Sequence, residues 1–594
     1  MLYEKLPVPS LASRAERMAE RAAITALMRC FCREIGAPRS LIALLPPDHH
    51  GPLPAQLRGA NMLLQISLTE IETALVIGAH YASETQDYHF CTRPYLRQGR
   101  RYRALDWRQL AELLYAETAR LLDAAPNAEI IEQTANSVAI TARLIAHRLE
   151  HPRAMEGTRG MADYLRSEGS LIFGHASHPT PKSRQGVDID LMVRHSPEIL
   201  HRFDLNYVAV RRERLWSCAA EGPDAWDQLA ACLPAGLADQ DWAALPVHPV
   251  QARKLSEAPA FARAIREGWL RNLGTVAKPY HATSSVRTLL DSADPFFLKL
   301  SLDMRLTNCV RKNAEYELTG AVAATRLIRE KKAEFEREFP DCIILEEPAS
   351  LSVEPPPSWE ADERRALVEG HGLILRQSLA PLTPPDVTPL VAGALFTAGL
   401  DGRSPVRRVM GDDADDARII PWFRAYAEHL IHPIFYGYFR HGLIFEPHLQ
   451  NVVIGLRDRM PARLYLRDFE GVKVTDASLP GAIKALDAQA RSALSYSAEQ
   501  GWRRITYCLF VNNLCEAIHH LSHGDDRLRQ ALWAEVEAVV AAYQRLYGDT
   551  TSRERLLPLL SGAPLPSKAM LITRFLQQAD REAGYVDLAN PMGR

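Results

Sequence analysis

The residues best suited to chemistry lie between positions 441 and 471, around two short apolar runs. β-branched and aromatic residues bounded by turn formers are typical of a β-hairpin, here with residues 452–454 opposite residues 464–466. Polar side chains flank both runs: Glu446, His448, Gln450 and Asn451 before the first, and Asp468 and Glu470 after the second. A hairpin would bring these polar ends together, in the pattern of a binding site.

An asparagine before a hairpin and an aspartate after it resemble the way protein kinases hold Mg²⁺, with a catalytic-loop Asn and the Asp of Asp-Phe-Gly. Here the two residues are Asn451 and Asp468, the latter in the run D-F-E-G. The pair therefore predicts nucleotide and metal chemistry. The alternative is a surface hairpin with solvated acids, since short motifs often match by chance.

A second polar stretch is the loop at 174–186, G-H-A-S-H-P-T-P-K-S-R-Q-G. Two prolines keep it out of a helix and the glycines let it bend. His178, Lys182 and Arg184 could neutralise phosphate or carboxylate while the hydroxyls add hydrogen bonds. This composition predicts polyanion binding, and a solvated basic loop is the alternative.

A third group of cations lies on apolar runs between 284 and 313. Side chains alternate along a strand, so a strand would place Ser285 with Arg287 on one face, followed by Thr288. The same alternation groups Phe297, Lys299 and Ser301, and then Arg305, Thr307, Cys309 and Arg311. A lysine among leucines costs free energy unless it meets an anion, so Lys299 predicts an anion site. The alternative is internal ion pairing with Asp291, Asp294 or Asp303.

Composition limits the classes of function. Among 594 residues, 70 Lys and Arg nearly balance 72 Asp and Glu, for a formal net charge of −2. The net charge therefore creates no overall electrostatic field that would favour binding to nucleic acid or to an anionic membrane. Neither a long apolar run nor a signal peptide is visible, so we expect a cytoplasmic protein. The nine cysteines contain no C-x-x-C pair, and they predict neither a disulfide framework nor a zinc knuckle.

The length predicts several domains in an α+β fold. Helical spacing of apolar residues with a small sheet is typical of 1–150, and short strand candidates with polar turns are typical of 151–345. Most of 346–594 has helical spacing, interrupted by the hairpin at 441–471. The proline-rich segment 346–358 is interpreted as a stiff spacer at the boundary.

Taken together, six stretches resemble, in order and spacing, the NRPS-independent siderophore synthetases of the aerobactin synthetase (IucA/IucC) family. They are the loop at 174–186, P-V-H-P-V-Q at 246–251, T-S-S-V-R-T at 283–288, the basic run at 299–313, E-P-H-L-Q-N at 446–451 and R-D-F-E-G at 467–471. The resemblance covers nearly the whole chain.

The resemblance implies a cupped hand of thumb (1–150), fingers (151–345) and mostly helical palm (346–594), acting as a homodimer with ATP and Mg²⁺. In such enzymes a carboxylate of citrate, a citrate derivative or 2-oxoglutarate attacks the α-phosphorus of ATP, and an amine or hydroxyl then displaces AMP from the acyl-adenylate. Small molecules, rather than nucleic acid or a membrane, would be the partners.

The resemblance also assigns roles to individual residues. The catalytic group would be His178, Lys299, Arg311 and His448. The nucleotide would contact Lys182, Ser285, Arg287, Thr288, Lys299, Arg311, Gln450, Asn451 and Asp468. The carboxylate substrate would contact His178, Arg184, Arg311 and His448. Asn451, Asp468 and Glu470 would hold Mg²⁺.

The chain departs from the common family pattern at Ala176 and Pro447, both near the expected carboxylate site. These departures favour 2-oxoglutarate or an already substituted citrate over free citrate. Two other hypotheses remain open: a kinase-like phosphotransferase that releases ADP, and a nucleotide or siderophore-precursor binding protein without turnover.

Overall fold

The computed structural model describes residues 10–47, 53–70, 72–152, 160–306, 309–411, 413–469, 471–476, 483, 486 and 488–593. Helices and sheets are mixed along the chain, as the α+β expectation requires. The division into thumb, fingers and palm stays a prediction.

The N-terminal part packs helices against an antiparallel sheet. Helix α1 begins after Ser10, whose hydroxyl accepts the amide hydrogen of Ser13 and so satisfies one free donor of the first turn. The strand order is β1-β2-β3-β5-β6, with β4 on β3. The bounds are α1 Leu11–Phe31, β1 Ile42–Leu45, β2 Met62–Ser67, β3 Thr73–Ala82, β4 Tyr88–Phe90, β5 Tyr95–Gln98, β6 Arg101–Ala104, α2 Trp107–Leu122 and α3 Ala128–Glu150.

An eight-stranded sheet, in the order β10-β8-β11-β12-β13-β18-β17-β9, forms the middle of the molecule. Its strands are β8 Arg202–Arg211, β9 Leu215–Ala219, β10 Trp242–Val247, β11 Leu270–Ala282, β12 Thr288–Leu290, β13 Phe296–Leu300, β17 Ala349–Val353 and β18 Leu373–Gln377. Smaller strands nearby are β7 Arg184–Gln185, β14 Leu302–Leu306, β15 Cys309–Arg311 and β16 Cys342–Ile344. The helices are α4 Met161–Glu168, α5 Ile189–Arg194, α6 Ala225–Ala230, α7 Pro249–Glu257, α8 Pro259–Arg266, α9 Glu315–Glu338 and α10 Ala361–His371.

The segment 346–358 is not a stiff spacer, and that interpretation was wrong. It contains β17, a fully buried strand between β9 and β18. The alternating apolar residues of β17 pack into the core of the sheet. This packing outweighs the tendency of the flanking prolines to form an unpaired linker. Strands on both sides of position 345 therefore share one sheet, and the domain boundaries at 150 and 345 stay predictions.

The predicted hairpin is confirmed. Strand β21 Val452–Arg457 pairs with β22 Met460–Leu466, with Val452 opposite Leu466. The loop is Asp458-Arg459, and both residues have positive φ, of 50° and 67°, as the two-residue turns that match strand twist require. The remaining strands are β19 Thr388–Val391, β20 Leu443–Ile444, β23 Lys473–Thr475, β24 Ser495–Tyr496, β25 Leu565–Lys568 and β26 Tyr585–Leu588.

The C-terminal part surrounds this hairpin with helices: α11 Ala392–Leu395, α12 Pro405–Met410, α13 Asp416–His441, α14 Ala488–Leu494, α15 Ala498–Thr506, α16 Cys515–Ser522, α17 Asp526–Leu546, α18 Thr550–Leu560 and α19 Met570–Phe575. A π-helical segment, Tyr507–Leu514, joins α15 to α16. Helix α19 packs into the N-terminal core, where Glu34 accepts the amide hydrogens of Leu571 and Ile572 at 2.9 Å each. None of the described helices is long and apolar enough to cross a membrane.

Arg467, the residue after β22, ties the hairpin to helix α4. Its guanidinium pairs with the fully buried Glu168 and donates to the hydroxyl of Tyr164 at 2.8 Å. Burial alone would raise the pKa of Glu168, but the charge of Arg467 outweighs it and the pKa is lowered.

We expect Arg467→Met to lower the free energy of unfolding by about 3–5 kcal/mol, because it leaves the Glu168 carboxylate buried without its partner. The matched control is Arg457→Met, whose pair with Asp386 is exposed by 45% and 59% and should contribute at most about 1 kcal/mol. Urea denaturation followed by circular dichroism measures both. Equal midpoints for the two variants would contradict the account.

Candidate active site

A cavity of about 1280 Å³ lies between the eight-stranded sheet, the hairpin and the helices at both ends of the chain. Every predicted site residue that the structure describes lines it: His178, Lys182, Arg184, Ser285, Arg287, Thr288, Lys299, Arg311, His448, Gln450, Asn451 and Asp468. Glu470 lies outside the described residues. The described lining contains thirteen lysines and arginines but six carboxylates, although the whole chain is nearly neutral. Such an imbalance favours anionic ligands.

The loop at 174–186 is packed into the wall of the cavity. Lys182 and Arg184 are buried and share the carboxylate of Glu198, which lies 3.1 Å from Arg184. Burial lowers the pKa of Lys182, while the charge of Glu198 opposes that shift. His178 is also buried, and its Nδ1 accepts the amide hydrogen of Thr180 at 3.0 Å. Since all three side chains are buried, the solvated-loop alternative does not hold.

Ser285 and Arg287 do not share a strand face, and that prediction was wrong. They lie in the turn between β11 and β12, because Val286 has φ of 70° and so interrupts the alternation. This conformation is rare for a β-branched residue and costs on the order of 1–3 kcal/mol. The turn holds Ser285 Oγ 3.1 Å from the amide of Thr288, whose own hydroxyl is buried and has no hydrogen-bond partner among the described residues.

Arg311 also differs from its predicted placement. The run at 302–311 is a hairpin rather than one strand, with Arg311 opposite Leu302. Arg305 pairs with Glu129 at 2.9 Å and is not among the cavity residues, whereas Arg311 lines the cavity. Thr307 lies outside the described residues. The Arg311 side chain makes no ion pair with any residue that the structure describes, so its charge is available to a ligand.

Four charged side chains form a compact cluster between the sheet and the hairpin. Lys299 on β13 lies 2.7 Å from Asp468, and Arg376 on β18 lies 3.0 Å from Asp468 and 2.7 Å from Glu347. The Nζ of Lys299 is 3.8 Å from Glu347. Lys299 does form ion pairs, as the alternative interpretation of the sequence predicted. The partners named there, Asp291, Asp294 or Asp303, are not its described partners. Arg376 was missed, although a cation on an apolar strand is the same signal that identified Lys299.

Asp468 has an oxygen left for a ligand. Burial would raise its pKa, but Lys299 and Arg376 outweigh that effect and hold the pKa well below its usual range. Both cations contact Oδ1, and no described residue contacts Oδ2, while the side chain is 32% exposed. Among the described residues no group of three or more His, Cys, Asp or Glu side chains could hold a metal ion by itself. An ionised oxygen facing a cavity nevertheless fits a hard cation that also binds phosphate and water.

A second polar group lies beyond the hairpin. His448 is partly exposed to the cavity, and burial lowers its pKa while Glu446 and Asp468 oppose the shift. Glu446 pairs with Arg504, and Lys568 lies 2.6 Å from Asp580. Sequence reasoning missed both cations, because nothing in their local sequence marks them. His175, also outside the predicted set, lies near His448, and its pKa falls to about 3 mainly through burial.

Comparison with known proteins shows which families the chain resembles. Residues 163–397 match the model of the IucA / IucC family. The match covers the middle of the chain, and it shows similarity to this family there. Residues 421–583 match a second model, described as a ferric iron reductase FhuF-like transporter.

Similarity to named relatives extends over the rest of the chain. The rhizobactin siderophore biosynthesis protein RhbC of Rhizobium meliloti (strain 1021) is 27% identical over 96% of this chain and 97% of its own length. The L-2,3-diaminopropanoate–citrate ligase of Staphylococcus aureus (strain NCTC 8325 / PS 47) is 27% identical over 72% of this chain and 74% of its own. The ATP-bound aerobactin synthetase IucA of Klebsiella pneumoniae matches in fold, with a TM-score of 0.81, 21% identity and coverage of 96% and 99%.

The buried hydroxyl of Thr288 can be tested by substitution. Thr288→Val removes a polar group that has no partner among the described residues, so we expect the free energy of unfolding to stay constant or to rise by up to about 1–3 kcal/mol. Thr283→Val is the matched control, because the Thr283 hydroxyl lies 3.3 Å from that of Ser285 and its loss should cost about 0.5–1.5 kcal/mol. Thermal unfolding of the ligand-free protein measures both. A Thr288 variant less stable than the Thr283 variant would contradict the assignment.

Proposed function

We propose that this protein is a ligase of siderophore biosynthesis that activates a carboxylate of citrate or a citrate derivative with ATP and condenses it with an amine or a hydroxyl. The observation that carries the proposal is the cavity, where thirteen cations converge in a nearly neutral chain. The similarity to an L-2,3-diaminopropanoate–citrate ligase supports citrate over 2-oxoglutarate as the acid.

Activation joins two anions, so the site must offset their charge. The carboxylate oxygen attacks the α-phosphorus of ATP, the bond to the bridging oxygen breaks, and pyrophosphate leaves. Arg287, Lys299 and Arg311 would bind the phosphates, with the hydroxyls of Ser285 and Thr288 beside them. Each such preorganised donor can lower the barrier by roughly 2–4 kcal/mol. A divalent cation held by Asp468, together with Asn451 and Glu470, would neutralise part of the phosphate charge.

The carboxylate would bind beyond the hairpin, where Arg504 and Lys568 join His448 and His178 along the cavity. In the second step the nucleophile attacks the acyl carbon and AMP leaves with the electron pair of the broken bond. His448, neutral near pH 7 because its pKa is lowered, could accept the proton that the nucleophile releases. The Mg²⁺ ligands, the homodimer and the cytoplasmic location implied by the resemblance stay predictions.

Hydroxylamine trapping tests the reaction. We expect ATP-dependent hydroxamate formation with citrate or a citrate derivative, and AMP and pyrophosphate in equal amounts. Chromatography separates AMP from the ADP that a kinase-like phosphotransferase would release. Absence of both hydroxamate and AMP with citrate, substituted citrates and 2-oxoglutarate would refute the proposal.

Arg311→Ala tests the strongest assignment within this mechanism. Because the Arg311 charge has no described partner, its removal should reduce hydroxamate formation by about 10²- to 10³-fold, the scale for loss of one preorganised donor. Arg305→Ala is the control, since Arg305 lies on the neighbouring strand and pairs outside the cavity. Equal activities of the two folded variants would contradict the assignment.

A further inference from the structure

One face of helix α1 forms a wall of the cavity that the proposed reaction of ATP and carboxylate does not use. The residues on this face recur every three or four positions, as one side of a helix requires. They are Arg14, Met18, Arg21, Ala22, Thr25, Ala26 and Arg29. The small and apolar members leave room between the cations. We call the space beside this face the α1 arm.

Residues of β4 and α16 line the cavity together with this face of α1. The guanidinium of Arg21 donates to the carbonyl of Phe90 at 3.0 Å, and Arg29 donates to Glu516 at 3.1 Å. Arg29, His175 and His448 all line the same cavity. A molecule in the arm would therefore share one continuous cavity with the acyl group proposed to form at His448.

The size of the cavity leaves space for a further substrate. Pockets for a single drug-sized ligand have volumes of about 300–1,000 Å³, whereas this cavity measures about 1280 Å³. The two reactants of the first step are assigned to Arg287, Lys299, Arg311 and His448, and none of these residues lies on α1.

The charged side chains that line the α1 arm indicate which class of amine it can bind. Its cations Arg14 and Arg21 make no ion pair with any described residue, whereas Arg29 is neutralised by Asp87 and Glu516. The described carboxylates of the cavity are already engaged: Glu516 with Arg29, Glu446 with Arg504, Asp580 with Lys568, Asp468 with Lys299, Asp401 with Arg408, and Glu317 with the amide of Ala314. A second ammonium group would thus meet carboxylates that already have partners, while a carboxylate would meet guanidinium groups that have no described ion pair.

We propose that the α1 arm binds the nucleophile and selects an amine that carries its own carboxylate, with Arg14 and Arg21 as the groups that recognise that carboxylate. The inference rests on the proposed function and narrows it to amino-acid-type amines, as opposed to diamines and polyamines. The amine of the bound molecule attacks the acyl carbon while its carboxylate stays on the guanidinium groups.

The test uses amines that differ only by the carboxylate. The pairs are 2,3-diaminopropanoate with 1,2-diaminoethane, ornithine with 1,4-diaminobutane, and lysine with 1,5-diaminopentane, and spermidine represents polyamines. For each we measure kcat/KM of condensation, normalised to the hydroxylamine reaction of the same enzyme. We expect at least one amino acid to exceed its decarboxylated partner by tenfold or more, and spermidine to react poorly.

Substitutions assign that preference to the arm. Arg14→Gln and Arg21→Gln should each reduce the preference for the carboxylate about tenfold, which corresponds to roughly 1.4 kcal/mol. Arg17→Gln is the control, because Arg17 is exposed on α1, as Arg14 and Arg21 are, but is not among the cavity residues. It should leave the preference unchanged.

The outcomes separate this inference from the proposed function. Loss of the hydroxylamine reaction with every acid refutes the ligase itself. An active hydroxylamine reaction combined with diamines or spermidine that react as well as the amino acids overturns the α1-arm proposal alone. It is also overturned if no amino acid reacts, or if both glutamine variants keep the full preference.

Discussion

The cluster of Lys299, Arg376, Glu347 and Asp468 is the interaction on which the rest of the site depends. Two cations from adjacent strands of the eight-stranded sheet meet one carboxylate that precedes β17 and one that follows the hairpin. Removing one partner from such a buried pair leaves an uncompensated charge and costs about 3–5 kcal/mol. The cluster therefore fixes the hairpin against the sheet, and with it the position of His448 and Asn451.

This arrangement also leaves charged groups of the site available to bind a ligand. Lys299 and Arg376 share Oδ1 of Asp468, so its second oxygen remains available to a ligand, as does Arg311, which has no ion pair among the described residues. Asp468 has φ of 80° and Val286 has φ of 70°, so two of the turns that carry polar groups into the cavity are strained. Strained backbone of this kind persists only where the surrounding structure over-determines it. Here the ion cluster and the contacts of Arg287 with Asn313 provide that constraint.

Sequence reasoning succeeded where the signal is local. The alternation of residue types and the turn residues were sufficient to predict the hairpin and its register. Every described candidate residue from the family motifs lines one cavity. It failed where the outcome depends on a single dihedral angle or on distant partners. Nothing in the residue types showed that Val286 would break the strand. The pairing of Arg376 with Glu347, and the positions of Arg504 and Lys568, arise from contacts between residues far apart in sequence.

The central claim is that the carboxylate attacks the α-phosphorus of ATP. Citrate labelled with ¹⁸O in its carboxylates tests this directly when condensation is run with excess amine and the nucleotide product is analysed by mass spectrometry. The account predicts AMP that carries one ¹⁸O per turnover, because the attacking oxygen stays on phosphorus when the acyl bond breaks. Unlabelled AMP, or ¹⁸O in inorganic phosphate alongside ADP, would contradict it.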